Sequence, residues 1–168
     1  EGLSGCYGPG EARDIGAARS VAARLGVPHH VIPLATEYAA EVLDYFRAEY
    51  RAGRTPNPCV RCNRSMKFAL LLTRARAMGI AFDRFATGHY ARVERDSGTG
   101  RWLLLRAADR SKDQTYFLSR LSQDQLAQVL FPLGALTKDR VKALAREAGW
   151  SDVADKPESQ DFIESRNY

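Results

Sequence analysis

Apolar positions recur at helical spacing over residues 11–25, where Ile15, Ala18, Val21, Ala22 and Leu25 share one face. Gly26 and then Pro28 end the run. A short strand is predicted over residues 30–34. A second helix follows, with Thr36 as its N-cap and Tyr38, Val42, Tyr45 and Phe46 on one face as far as Gly53. Residues 54–58, Arg-Thr-Pro-Asn-Pro, read as a rigid loop, because each proline removes a donor and pushes the residue before it toward extended backbone. Helical spacing resumes over 63–78 with Met66, Ala69, Leu70 and Leu72 and closes at Gly79. Residues 82–86 read as a buried strand and 87–90 as a turn. Residues 91–95 then pair with 102–107 across Asp96-Ser-Gly-Thr-Gly100 as a hairpin. Helices are predicted over 114–120, 123–130 and 138–148. Strands alternating with helices, plus one hairpin, make an α/β layered domain.

Composition narrows the class. The chain has 168 residues, 45% apolar and 27% charged, enough to bury a core without a disulfide or metal staple. The longest unbroken aliphatic or aromatic run, residues 68–72, is far shorter than the roughly 18–20 residues of a membrane span. No basic-then-apolar leader opens the chain, and the three cysteines, Cys6, Cys59 and Cys62, are an odd number. Both features point to a cytoplasmic protein with reduced thiols. The start at Glu1 and the polar end at Tyr168 read as a fragment of something longer.

Net charge is +5, unevenly placed. Between positions 47 and 76 stand Arg47, Arg51, Arg54, Arg61, Arg64, Lys67, Arg74 and Arg76 against the single acid Glu49, and the remainder of the chain is slightly acidic. A concentrated basic segment is the footprint of a polyanion partner such as nucleic acid, and equally of an arginine-rich solvated helix face.

Within that segment lies Asn57-Pro-Cys-Val-Arg-Cys-Asn63. Neighbouring cations and a helix N-terminus near Cys62 favour thiolate, so a reactive cysteine is the direct reading. Three other readings stand beside it. The first is a zinc site, for which Cys6, His29, His30 and His89 are the further ligands on offer. The second is a thioredoxin-like redox pair, and the third is two inert buried thiols.

The same string resembles the active-site loop of the bacterial tRNA-specific 2-thiouridylases, the MnmA family. Further segments agree in order: residues 14–25 with Gly26-Val-Pro-His29, Glu49-Tyr-Arg-Ala-Gly53, Ala86-Thr-Gly-His-Tyr-Ala-Arg92, Lys112-Asp-Gln-Thr-Tyr-Phe-Leu118, Phe131-Pro-Leu-Gly134 and Ala154-Asp-Lys-Pro-Glu-Ser159. The resemblance runs along essentially the whole chain. It implies a Rossmann-like adenine-nucleotide hydrolase (PP-loop ATPase) type of layered sheet, incomplete here. On this reading residues 1–95 are part of the nucleotide-binding catalytic domain, and 96–168 are the hairpin and a helical tRNA-binding region.

The implied activity is ATP-dependent 2-thiolation of the wobble uridine of tRNA, with Mg2+ accompanying the ATP. The base is adenylated at its C2 oxygen, and a cysteine persulfide delivers sulfur as AMP leaves. The implied partners are tRNA and a sulfur-donating protein, either a cysteine desulfurase or a relay carrier. By resemblance Cys62 is the nucleophile, while Asn57, Pro58 and Cys59 line the target base. Gly88 lies at the nucleotide, and His89, Lys112, Asp113 and Gln114 contact tRNA. These types suit the roles, since a lysine neutralises phosphate and amide or carboxylate groups reach sugar and base edges. Each also has a plainer reading: Gly88 as turn chemistry, His89 at a strand-end turn, and Lys112-Asp-Gln as a helix start.

The chain departs from the family pattern twice. The Ser-Gly-Gly-x-Asp-Ser loop that cradles pyrophosphate is absent from these 168 residues, whose Ser-Gly steps are Ser4-Gly5 and Ser97-Gly98. That loop is expected before Glu1, so this chain alone is expected not to adenylate and to be poorly stable, and the alternative reading is a tRNA-binding remnant with no catalysis of its own. A second cysteine that many members carry is replaced by Glu158-Ser-Gln-Asp-Phe-Ile163, while Cys59 stands where they commonly have aspartate. Cys59 and Cys62 are therefore expected either to share a persulfide relay or to ligate an iron–sulfur cluster, with Cys6 as a candidate third ligand.

Overall fold

The computed structural model describes residues 11–155, which fall into two compact units, 11–33 and Leu34–Asp155. Cys6 and the Lys156–Ser159 part of the last motif lie outside the described residues. In the first unit helix α1 covers Glu11–Leu25, with Glu11 and Asp14 in its first turn and Arg24 in its last, each complementing the helix dipole. Gly26 at φ 66 accepts the left-handed backbone that ends it. Residues 30–34, predicted as a strand, form none: a strand exists through its ladder, and no described segment pairs with them.

The second unit opens with helix α2, residues 35–51, built as Ala35–Tyr38, a π-helical stretch Ala39–Leu43 and Asp44–Arg51. Leu34, not Thr36, is its N-cap, without a side-chain cap. Helix α3, residues 58–77, runs as Pro58–Cys62, a longer π stretch Asn63–Leu70 and Leu71–Ala77. It begins five residues before the predicted start, because Pro58 sits at the first helical position, where its missing N–H costs nothing and its fixed φ suits a helix.

Two small sheets complete the unit. Strand β1 (Phe85–Ala86) pairs in parallel with β4 (Val129–Leu130), and β2 (Ala91–Arg95) pairs antiparallel with β3 (Trp102–Arg106). The hairpin forms as expected, with Asp96 Oδ1 accepting from Thr99 N and Thr99 Oγ1 at 2.6 Å in its turn. Position 95, where the sequence reading divides the chain, falls inside it, since Arg95 pairs with Trp102. The helix predicted over 123–130 stops at Gln128, and Val129–Leu130 become strand because β1 offers them a ladder. The fold is α/β, its parallel sheet reduced among the described residues to one pair.

The remaining helices are α4 (Thr115–Leu118), α5 (Gln123–Gln128), α6 (Lys138–Glu147) and α7 (Ser151–Ala154). Phe68 of α3, Ala91 of β2, Leu118 of α4, Val129 of β4 and Phe131 form one core, with Phe85, Val93, Leu104 and Leu121 packed against it. Gly134 closes against the same core: a Cβ there would lie 1.8 Å from the Ala91 carbonyl oxygen, so only glycine fits.

Candidate active site

Asn57 accepts a hydrogen bond from Val60 N at 3.0 Å through Oδ1 and so caps α3. With Pro58 next, Cys59 occupies the second helical position and Cys62 the fifth. Both thiols are half-buried and neither is in a disulfide. The positive end of the helix dipole therefore lies nearer Cys59 than Cys62, where the sequence reading puts it.

Buried Asn63, 4% exposed, follows Cys62 and donates from Nδ2 to the Phe117 carbonyl at 3.1 Å. Its Oδ1 meets no donor among the described residues. This bond ties the thiol-bearing turn to α4, the helix that follows Lys112-Asp-Gln114. The loop itself is held from inside. Gln114 Oε1 accepts from Tyr90 N at 2.9 Å while Gln114 N donates to Tyr90 O at 2.9 Å. Asp113 Oδ1 accepts from Ala107 N at 2.8 Å, and its Oδ2 from Thr115 Oγ1 at 2.6 Å. Burial would raise the Asp113 carboxyl; the hydrogen bonds from Thr115 and Ala107, with Arg106 and Arg110 nearby, outweigh it and hold the carboxyl below the ordinary range. Lys112 ends the short 3-10 turn Arg110–Lys112 and is half-buried.

Gly88 and His89 follow the carboxyl end of β1, the end at which open α/β sheets place ligands. Gly88 is exposed, and a Cβ on it would make only an ordinary 3.8 Å contact with Leu133 Cδ1. Packing does not demand glycine here, and its backbone can approach a ligand closely. His89 lies against Phe68 and Phe131, with ring centroids 5.8 and 6.1 Å away, and its Nδ1 is 2.8 Å from Thr87 Oγ1. Burial, helped by the Lys67 charge, pushes its pKa down to about 4, so the ring is neutral at pH 7. Through Phe68, α3 thus joins the Gly88–His89 turn to the thiol-bearing turn.

The basic segment is less basic than its sequence suggests. Arg54 binds Glu49 through two bonds of 2.6 and 2.7 Å, which hold the Glu49 carboxyl below its ordinary range. Arg61 donates to the Glu41 carbonyl and carboxylate at 2.5 and 3.1 Å and lies 4.7 Å over the Tyr45 ring. Arg74 pairs with Glu37 at 2.6 Å, Arg47 with Asp44 at 3.0 Å, and Arg76 donates to Gln128 at 2.7 Å. Among the described residues the side chains of Arg51, Arg64 and Lys67 hold no such bond.

No three His, Cys, Asp or Glu side chains among the described residues group as a metal site. A cluster held by thiolates needs more than the Cys59–Cys62 pair supplies, so the described residues do not fit one. The sequence reading passes over Asn63, for which a polar residue inside an otherwise apolar helix face is the available signal.

No helix among the described residues is long and apolar enough to cross a membrane. The family described as tRNA methyl transferase HUP domain matches residues 5–164. Proteins named tRNA-specific 2-thiouridylase MnmA are similar along most of the chain. The one from Endomicrobium trichonymphae is 48% identical over 94% of this chain and 43% of its own length. That from Geobacter metallireducens is 51% identical over 92% and 42%, and that from Treponema denticola 45% identical over 99% and 45%. The chain spans about two-fifths of the length of these relatives. Matched by that family over residues 5–164, a span that takes in the thiol-bearing turn, the glycine turn and the Lys-Asp-Gln loop, the chain belongs to the tRNA methyl transferase HUP domain family.

Proposed function

We propose that this chain is the thiol-bearing part of a tRNA-specific 2-thiouridylase. The family description speaks of methyl transfer and the relatives' names of thiolation. The observation that favours sulfur is the pair of half-buried thiols on the capped first turns of α3, fastened by Asn63 to the helix after Lys112-Asp-Gln114. Two thiols three residues apart can carry a persulfide and then resolve it as a disulfide, which is what sulfur transfer asks of them.

ATP supplies an adenylate on the C2 oxygen of the target uridine. Exposed Gly88 is the residue described here that would meet the nucleotide, and the Ser-Gly-Gly-x-Asp-Ser loop that would hold its pyrophosphate is not among these 168 residues. Cys62 receives a sulfur atom from a sulfur-donating protein as a persulfide. The terminal sulfur bonds to C2, the C2–O bond breaks, and AMP leaves. The Cys59 thiolate then attacks the Cys62 sulfur, so that a Cys59–Cys62 disulfide forms as the bond to the transferred sulfur breaks and 2-thiouridine is released. A dithiol reductant restores the pair. Asn57 and Pro58 position the target base beside the thiols, while His89 as a neutral hydrogen-bonding ring and Lys112, with the amide nitrogen of Gln114, meet the RNA. Asp113 acts through the loop it holds together.

The test is nucleoside analysis of tRNA treated with full-length protein. Cys62→Ser is expected to bind tRNA as the parent does and to form no 2-thiouridine. Cys59→Ser is expected to stall with RNA joined to Cys62 through a reducible bond. Thiolation at the parent rate by Cys62→Ser overturns the assignment.

A further inference from the structure

We infer that Tyr116 is a stacking platform for an unstacked nucleotide base, the neighbour in the RNA strand of the base presented to Cys62; the inference rests on the proposal that the protein acts on tRNA. Tyr116 is 65% exposed, an unusual setting for a large ring on a helix whose other aromatic and aliphatic side chains turn inward. Its surroundings fix it. Leu118, 1% exposed, roots α4 in the core, and Ser119 Oγ donates to the Tyr116 carbonyl at 2.8 Å. The Phe117 ring meets the Tyr116 ring edge-on, with centroids 5.5 Å apart at 74°. The platform is thus set before any ligand arrives, at low entropic cost.

Its place follows from one hydrogen bond. Asn63, next to Cys62, donates to the carbonyl of Phe117, next to Tyr116, so the exposed ring and the thiol lie one residue to either side of a 3.1 Å contact. Two residues before Tyr116 stands Gln114, with Lys112 and Arg110 just upstream. An exposed aromatic ring a few residues after cations in the chain, on a helix bonded to the turn that carries the thiol, suits the way proteins hold single-stranded RNA. Bases splayed from their stack are caught on aromatic side chains while cations follow the backbone.

The test measures binding of an anticodon stem-loop oligonucleotide to the full-length protein. Tyr116→Ala is expected to weaken Kd about tenfold or more, in the range found when one stacked base loses its aromatic partner. Tyr116→Phe is expected to stay within about twofold. Because the ring is uncharged, the slope of log Kd against log salt is expected to be unchanged in Tyr116→Ala, as is the alkylation rate of Cys62 by iodoacetamide. In Tyr116→Trp the fluorescence of the introduced indole is expected to be quenched on RNA addition. A Tyr116→Ala protein that binds as the parent does, or an indole emission in Tyr116→Trp that is indifferent to RNA, overturns the stacking role and leaves the thiolation proposal standing. A parent protein that binds no stem-loop overturns both.

Discussion

His89 owes its neutrality to its neighbours. An imidazole usually titrates near 6.5, and in the fold this one titrates near 4 because Phe68 and Phe131 take it from water and Lys67 opposes a second charge. Its folded pKa lies below its unfolded one, so the associated stability is complete above pH 6.5 and is lost as pH falls toward 4. Urea midpoints of the full-length protein are expected to fall from pH 7 to pH 5 more steeply in the parent than in His89→Gln; equal slopes would contradict the burial argument. The neighbouring asparagines show what a sequence discloses. Asn57 before Pro58 carries the residue types of a cap and first turn, yet reading both prolines as helix breakers puts the two in a loop and starts the helix at Asn63. The role of Asn63 is hidden for another reason, because its buried amide depends on a carbonyl 54 positions away.

The helices are legible from their apolar faces, but not the way α2 and α3 are wound. A 3.6-residue template passes over a π turn, which keeps helical backbone while adding a residue and leaving a carbonyl without its usual partner. In α3 two carbonyls of the π stretch receive a side-chain donor: Gln125 Nε2 donates to Arg64 O at 2.8 Å and Phe68 O at 3.0 Å. Its Oε1 accepts from Ser122 N at 2.9 Å, completing a capping box on α5. Gln125→Ala removes all three bonds and is expected to cost about 2 kcal/mol of folding stability, read from urea unfolding. A change below about 0.5 kcal/mol would mean that the π stretch closes without it. The strand Val129–Leu130 is illegible for a related reason: two residues carry no period, and their partners Phe85–Ala86 lie far back in the chain.

Across the whole molecule, charge counted along a window misleads where charge placed in space does not. The acids that satisfy Arg47, Arg61 and Arg74 are Asp44, Glu41 and Glu37, all on α2 and all outside the stretch counted. The salt dependence of tRNA binding is therefore expected to divide the arginines. Arg64→Gln and Lys67→Gln should each lower the log–log slope by about 1, while Arg54→Gln and Arg61→Gln leave it nearly unchanged. Equal slopes for all four would return the segment to a uniformly basic face. The π stretch Asn63–Leu70 also sets where this chain can change length. Deleting one residue there would restore regular winding, yet turn Cys59 and Cys62 by about 100° relative to Phe68 and the core beyond it. The largely exposed Asp96–Gly100 turn of the hairpin is expected to accept insertions, whereas α3 from its cap to its core must keep its residue count for the thiols to keep their heading.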